Sequence, residues 1–131
     1  MSQFPPIRLF ALAALLAMSA AYAGGLNGNA AEGRELFMAN GCPACHGVTK
    51  EDNAKVGPSL FGVVGRKAGT APSLLGATEN LKKYGVIWSA ETLDEFLADP
   101  NAKVPGTPMA GILADPQQRA DVIAYLSTLK E

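Results

Sequence analysis

The apolar and polar positions of this chain divide into one continuous apolar run near the N terminus and several segments with the period of an α-helix. Leu93, Phe96 and Leu97 follow the i, i+3, i+4 spacing of a helix that buries one face. Alternation with a period of two, which would indicate strands, does not extend over a useful length. Residues 47–72 are interrupted repeatedly by glycine and proline. The pattern therefore predicts a small all-α fold with long loops.

Two helices are predicted in the first part of the chain after the apolar run. The first spans residues 30–40, and Gly41 suits its C-terminal cap. The second covers residues 73–83, where three leucines share a face, although Gly76 is a poor helix former.

Two further helices carry clearer start signals. One begins after Ser89 as N-cap and ends before Pro100. The other follows Asp115 as N-cap, with Pro116 at the first helical position and Gln118 at the third, in a capping-box pattern.

The continuous apolar run has the features of a secretory signal. Arg8 is the only charged side chain before Glu32, the apolar run follows it over residues 9–18, and residues 21–23 have the A-x-A pattern of a cleavage site. Residues 1–23 are therefore predicted to be a signal peptide, which places the mature protein in a bacterial periplasm without a membrane span. An uncleaved anchor is the alternative, although the run is shorter than the ~20 residues that span a bilayer.

The remaining residues have the size of one domain. The glycine-rich residues 24–30 predict a flexible leader, and residues 31–131 form the domain itself. The chain carries 11 Lys or Arg and 12 Asp or Glu, and this near-neutral balance gives no support for nucleic-acid binding, which requires a basic surface. A domain of this size buries a modest core, so a large apolar cofactor would supply much of its stability.

The candidate chemistry is concentrated in Cys42-Pro43-Ala44-Cys45-His46, which uses both cysteines and the only histidine. C-x-x-C-H is the spacing of covalent c-type haem attachment. Two thiols at this interval can add to the two vinyl groups of a haem, and the adjacent imidazole can then bind the iron. The motif predicts one covalently bound haem c, attached through Cys42 and Cys45, with His46 as an iron ligand.

Three other interpretations of this motif are weaker. A thioredoxin-like redox pair normally follows a strand, whereas the residues before Cys42 have a helical pattern. A structural zinc site would need a fourth ligand, which only a carboxylate could supply here. A plain disulfide between Cys42 and Cys45 would close a very small loop and would leave His46 unexplained.

Met109 is expected to be the second axial ligand, because the chain has no second histidine. Met1 and Met18 belong to the predicted signal peptide, and Met38 lies on the helix that delivers the attachment motif. Met109 lies instead in a proline-stiffened loop between two predicted helices. A packing role for Met109 is the alternative. Two strong ligands leave no open position for oxygen or peroxide, which favours electron transfer over catalysis.

Several further motifs follow the haem motif in order. They are G-P-S-L-F-G-V-V-G-R-K-A-G at residues 57–69, G-V-I-W at residues 85–88, the loop from Pro105 to Met109, and R-A-D-V-I-A-Y-L at residues 119–126. In this order the chain resembles the class I c-type cytochromes, and in particular mitochondrial cytochrome c and its small soluble bacterial relatives, over about residues 31–131. The resemblance implies a single-domain cytochrome c fold, with about four to five helices and long loops around one haem. Gly33 and Phe37 are then expected to meet Tyr125 where the first and last helices cross.

The resemblance also implies roles for individual residues. The carbonyl of Pro58 is expected to accept a hydrogen bond from His46 Nδ1, which would orient the ring. Arg66 and the indole N–H of Trp88 are expected to hold a haem propionate. A solvated surface arginine and an ordinary core tryptophan are the alternatives.

Three features depart from the family pattern. A tyrosine that the family uses for a propionate is absent from residues 71–77, and Tyr84 is a candidate substitute. Phe96 stands where the family commonly has a tyrosine close to the methionine sulfur, so a shifted reduction potential is expected. The lysines are interspersed with acidic residues, so weaker long-range steering and a less acidic partner are expected.

The expected function is that of a monomeric, periplasmic one-electron carrier that is not an enzyme. It would take electrons from a donor dehydrogenase or membrane complex and pass them to a terminal oxidase, reductase or photosynthetic centre. A subunit dedicated to one dehydrogenase complex is an alternative. A haem enzyme or gas sensor, in which Met109 leaves the iron, is another.

Overall fold

The computed structural model describes residues 27–110 and 113–131, and their secondary structure is helical. Strand-type pairing within these residues is limited to one isolated bridge, between Lys67 and Ile87. The predicted all-α class is therefore confirmed. The predicted signal peptide and residues 24–26 of the predicted leader lie outside the described residues. The helices are α1 (Ala30–Ala39), α2 (Glu79–Tyr84), α3 (Ala90–Ala98), α4 (Pro100–Lys103) and α5 (Pro116–Leu126), with a 3₁₀ turn at Cys42–Ala44.

The first and last helices cross closely, and the crossing depends on one glycine. An ideal Cβ at Gly33 would lie 1.8 Å from the carbonyl oxygen of Asp121, which is far inside van der Waals contact. One turn further along α1, the rings of Phe37 and Tyr125 pack with their centroids 5.4 Å apart. Phe37 is almost completely buried. The expected contact of Phe37 with Tyr125 is confirmed, and Gly33 meets α5 at Asp121, one turn before Tyr125.

The segment that precedes α1 is attached to α5 by a buried carboxylate. Asp121 Oδ1 accepts a hydrogen bond of 2.8 Å from the backbone N–H of Asn29 and one of 2.9 Å from the side-chain amide of Gln117. Gln117 also donates to the carbonyl of Asn27 at 3.2 Å. Asn29 is in turn the N-cap of α1, since its side chain accepts from the first-turn N–H groups. The start of α1 is therefore held against α5.

Helix α3 begins and ends as its sequence signals predict. Ser89 is the N-cap, and its side chain forms a reciprocal capping box with Thr92. The apolar stripe of α3 is buried against the core. Asp99 ends α3, and its Oδ1 accepts a hydrogen bond of 3.1 Å from the N–H of Ala102. Asp99 is thereby the N-cap of a second, short helix, α4, which begins at Pro100. The sequence analysis did not predict α4, although proline at the first helical position favours such a start.

The predicted helix over residues 73–83 is wrong in its first half. The chain is helical only from Glu79, where the side chain of Thr78 accepts from the Leu81 N–H as N-cap at 3.1 Å. Gly76 has φ of +72°, a left-handed conformation that interrupts any right-handed helix there. The exposed fractions of Leu74 and Leu75 are 68% and 73%, so no core contact supports a helix in this stretch.

The other predicted helix ends agree with the structure. Gly41 has φ of +72° immediately after α1, which is the left-handed conformation of a C-terminal glycine. Asp115 Oδ1 accepts from the Gln118 N–H at 2.9 Å, with Pro116 at the first position of α5. Among the helices described, none is long and apolar enough to cross a membrane.

Because α1 and α5 cross so closely, we expect Gly33→Ala to lower the free energy of unfolding. Gly33→Ala should normally stabilise a helix interior by about 1 kcal/mol. Here the new Cβ meets backbone, so we expect a net loss of about 2 kcal/mol in the free energy of unfolding. Urea unfolding of the haem-loaded protein measures this change.

Arg34→Ala is the matched control for Gly33→Ala, because Arg34 is exposed on the same helix and receives the same new side chain. Its effect should stay within about 0.5 kcal/mol. Stabilisation by Gly33→Ala would contradict the close approach of the two helices.

Candidate haem site

The attachment motif lies on a tight turn directly after α1. Gly41 takes the left-handed conformation, and the chain then forms the 3₁₀ turn at Cys42–Ala44. The carbonyl of Cys42 accepts from the N–H groups of Cys45 and His46 at 3.1 and 3.0 Å. These bonds fix the two thiols and the imidazole within one compact turn, which suits simultaneous attachment to a single planar ligand.

The two cysteines are free thiols in unequal surroundings. Cys42 is half-buried at the edge of the core, and Cys45 is exposed. Burial raises the pKa of the Cys42 thiol, and the neighbouring Cys45 raises it further, while a backbone hydrogen bond opposes the shift. No cluster of three metal-ligating side chains exists among the described residues, and α1, not a strand, precedes the motif. These findings disfavour the zinc and thioredoxin-like alternatives.

His46 is oriented by a backbone carbonyl. Its Nδ1 lies 2.7 Å from the carbonyl oxygen of Pro58. Because a carbonyl can only accept, Nδ1 carries the proton and Nε2 keeps its lone pair for a metal. Burial lowers the pKa of His46 and the charge of Lys55 lowers it further, against the opposing effect of the Pro58 bond. The ring is therefore held neutral, as a metal ligand must be.

The loop that carries Pro58 is held alongside the attachment turn by backbone hydrogen bonds. The N–H of Gly57 donates to the carbonyl of Cys45 at 2.8 Å, and the N–H of Leu60 donates to the carbonyl of Gly47 at 2.9 Å. An ideal Cβ at position 57 would lie 2.7 Å from His46 Cε1. Gly57 therefore leaves the space that the imidazole ring occupies, a role that the sequence analysis did not assign to it.

Arg66 is half-buried rather than solvated. Its two terminal nitrogens donate to the carbonyls of Phe61 and Ser59, at 3.0 and 2.6 Å. Burial lowers the pKa of the guanidinium. Its Nε is buried without a hydrogen-bond partner. Since buried donors are nearly always paired, this nitrogen is free to serve an acceptor that belongs to a ligand.

Trp88 lies in an aromatic cluster close to the core. Its ring packs edge-on against Phe96, with centroids 5.2 Å apart, and against Tyr84 at 5.9 Å. Trp88 and Phe96 are buried, while Tyr84 is half-buried. Tyr84, the candidate substitute for the missing family tyrosine, is thus brought next to Trp88 by the end of α2.

Met109 lies in a loop whose first part is fastened to two helices. The side chain of Asn80 in α2 donates to the Pro105 carbonyl at 2.6 Å, and Asn101 Oδ1 in α4 accepts from the Gly106 N–H at 2.9 Å. Met109 itself is half-buried and packs against the core, whereas the exposed fraction of Met38 is 58%. Of the two methionines in the predicted domain, only Met109 is therefore turned toward the interior.

The chain after the Met109 loop is anchored by Arg119 of α5. Its Nη1 donates to the carbonyls of Leu113 and Ala114, at 2.8 and 2.9 Å, and its Nε donates to Asp94 Oδ1 of α3 at 2.7 Å. Arg119 is the first residue of the R-A-D-V-I-A-Y-L motif, and no function was predicted for it. In the sequence, Arg119 is recognisable only as a positive charge in the first turns of α5, four residues after the N-cap. Nothing in the sequence indicates that it bonds to Asp94, Leu113 and Ala114.

The residues present fit a haem c. Two free thiols and a neutral, oriented imidazole share one turn, and an unpaired guanidinium nitrogen lies in the loop that follows. Partly buried apolar side chains border the core and can cover a flat apolar ligand. They are Leu36, Val48, Leu60, Leu81, Val86 and Met109.

Comparison with known proteins agrees with this geometry. The family model "Cytochrome c" matches residues 30–130. The cytochrome c2 of Rhodopila globiformis is 45% identical over 104 residues, which cover 79% of this chain and 95% of the relative. A cytochrome c2 of Rhodopseudomonas palustris is 45% identical over 118 residues, covering 78% and 99%.

A solved structure agrees as well. Cytochrome cH from Methylobacterium extorquens matches with a TM-score of 0.64 at 43% identity, covering 77% of this chain and 99% of that chain. The haem motif, the helical fold and these relatives lead to one conclusion: the chain belongs to the cytochrome c family, whose members are electron carriers, and it carries one covalently bound haem c.

Proposed function

We propose that this cytochrome is a periplasmic one-electron carrier whose haem iron is held by His46 and Met109. The hydrogen bond of 2.7 Å between His46 Nδ1 and the Pro58 carbonyl supports the proposal most directly, because it leaves Nε2 free for the iron. When bound, the haem supplies the Fe(III)/Fe(II) couple. The protein supplies two ligands that stay in place, so that little has to rearrange when an electron arrives or leaves.

Cys42, Cys45 and His46 hold one side of the cofactor in this proposal. The thiols would hold the haem by adding to its two vinyl groups, and the 3₁₀ turn sets the spacing of the two cysteines. The Pro58 carbonyl accepts the hydrogen bond from Nδ1, and the proton stays on the ring. This bond polarises Nδ1–H and makes His46 a stronger ligand. Gly57, which has no side chain, leaves the space that this ring occupies.

Met109 would hold the iron together with His46. Its loop is fastened to α2 and α4 on one side and to α5 on the other, so the sulfur can be presented without regular secondary structure around it. A thioether favours ferrous iron and raises the reduction potential. Phe96 offers no hydroxyl where the family commonly has a tyrosine close to this sulfur, so we expect a shifted reduction potential.

Arg66 and Trp88 hold a haem propionate, with Tyr84 as an additional donor. The unpaired Nε of Arg66 supports the guanidinium contact, since a carboxylate would satisfy it. Tyr84 lies beside Trp88, so its hydroxyl can replace the tyrosine that the family has elsewhere. A buried carboxylate is costly unless it is paired, and these donors offset that cost.

Export, cleavage after Ala23 and action as a monomer complete the proposal. The signal-like N terminus supports export, as do bacterial relatives named cytochrome c2. The partners are redox proteins of the same compartment: a donor dehydrogenase or membrane complex, and a terminal oxidase, reductase or photosynthetic centre.

Optical spectra of the exported protein test the carrier function. We expect a low-spin haem c spectrum in both oxidation states, because two strong ligands occupy the iron, and no rapid shift when carbon monoxide is added to the reduced protein at neutral pH. A high-spin spectrum or rapid carbon monoxide binding would contradict the carrier and would favour the enzyme or gas-sensor alternative.

Met109→Ala tests the second ligand. We expect loss of the weak thioether-to-iron band at the red end of the oxidised spectrum, and a fall in reduction potential on the order of 100 mV, within the ~0.8 V that axial ligands span. Absorption spectra and potentiometric titration measure both changes.

Met38→Ala is the matched control for Met109→Ala. It removes an identical side chain from the exposed surface of α1, so the band and the potential should be unchanged. Survival of the band in Met109→Ala, or its loss in Met38→Ala, would show that the ligand assignment is wrong.

The intact mass of the exported protein tests attachment and processing together. We expect the mass of residues 24–131 plus one haem, because cleavage follows Ala23 and both thiols bind covalently. Replacing either Cys42 or Cys45 with Ala should reduce haem retention on a denaturing gel and should alter the pyridine haemochrome, which reports the number of free vinyl groups. Full retention of haem in both variants would contradict the attachment assignment.

A further inference from the structure

Lys55 is the charged side chain that reaches directly into the attachment turn. Its ammonium group donates a hydrogen bond of 2.8 Å to the carbonyl of Pro43, between the two attachment cysteines. The exposed fraction of its side chain is 35%, so part of it is removed from solvent. In the sequence, nothing distinguishes Lys55 from the other lysines interspersed with acidic residues. The structure gives it a fixed position at the attachment turn.

Both ends of Lys55 are held in place. Its backbone carbonyl accepts from the N–H of Leu74 at 2.7 Å, and its ammonium lies 3.2 Å from Asp52 Oδ2. A lysine on a free surface moves among many rotamers and is screened by solvent and salt. Lys55 cannot do so without breaking its bond to Pro43, and its charge therefore stays close to the turn.

The charge of Lys55 acts on the site in a definite direction. A cation held against the attachment turn disfavours any further positive charge that develops beside it. The same electrostatic effect applies to the iron, because the oxidised centre carries one more positive charge than the reduced centre. A nearby fixed cation therefore favours the reduced form.

We propose that Lys55 raises the reduction potential of this cytochrome by holding its ammonium group against the Pro43 carbonyl in the attachment turn. Lys55 is a positioning and electrostatic residue, not a ligand, and Asp52 partly offsets it. This inference rests on the proposed binding of the haem iron by His46, four residues from Cys42 on the same turn.

Replacement of Lys55 by Gln removes the charge and keeps a polar side chain. We expect a lower reduction potential, equivalent to about a two- to fivefold change in the equilibrium constant for reduction, or about 20–40 mV at ~59 mV per tenfold. Lys55→Arg retains the charge, so its reduction potential should stay close to that of the wild-type protein. Potentiometric titration measures each variant at low salt and at about 1 M salt, where the Debye length is ~3 Å.

Lys50→Gln is the matched control. Lys50 lies in the same loop and gives the same change in net charge, but its exposed fraction is 66% and its ammonium group bonds to Glu131 instead of to the attachment turn. Its effect on the potential should be small and should vanish at about 1 M salt, whereas the Lys55→Gln shift should persist.

Asp52→Asn supplies a variant with the opposite sign. Removal of the carboxylate beside the ammonium should raise the potential. The inference is overturned if Lys55→Gln leaves the reduction potential unchanged, or if Lys50→Gln lowers it by the same amount. It is also overturned if Lys55→Arg lowers the reduction potential as far as Lys55→Gln does, or if Asp52→Asn does not raise it. Failure of the proposed function would be distinguishable, because the wild-type protein would then lack a low-spin spectrum before any variant was compared.

Discussion

The hydrogen bond from His46 Nδ1 to the Pro58 carbonyl is the constraint on which the rest of the site depends. It decides which ring nitrogen is available to a metal, since a carbonyl cannot donate. It also requires the chain after the attachment turn to fold back along it, which the backbone bonds from Gly57 and Leu60 achieve. No side chain fits at position 57 beside the ring. One ring orientation thus determines the path of the following loop.

The two proposed ligands are supported by different kinds of contact. His46 is fixed by bonds to residues within about a dozen positions in sequence, so its geometry is largely local. Met109 depends instead on helices distant in sequence. Asn80 of α2 holds its loop on one side, and Arg119, which is paired with Asp94, holds the carbonyls of Leu113 and Ala114 beyond it. Local openings of α3 or α5 would therefore disturb Met109 before they disturbed His46.

The sequence predicted those parts of the fold that short-range chemistry determines. The caps at Ser89 and Asp115 need only neighbouring residues, and the structure contains both. The helix expected over residues 73–78 failed because a shared leucine face stabilises a helix only when a partner buries it, and Leu74 and Leu75 have none within the described residues. The contacts of Lys55 with Pro43 and of Asn80 with Pro105 join segments whose approach no local pattern encodes.

The electrostatics of the site follow from the position of a few charges and not from composition. The chain as a whole has a formal net charge of −1, which gives a weak field at any distance. Arg66 and Lys55 are nevertheless half-buried and hydrogen-bonded to backbone carbonyls, so each acts at short range and with little screening. Two chains of equal net charge can therefore differ in reduction potential when one fixes a lysine in the attachment turn and the other leaves it in solvent.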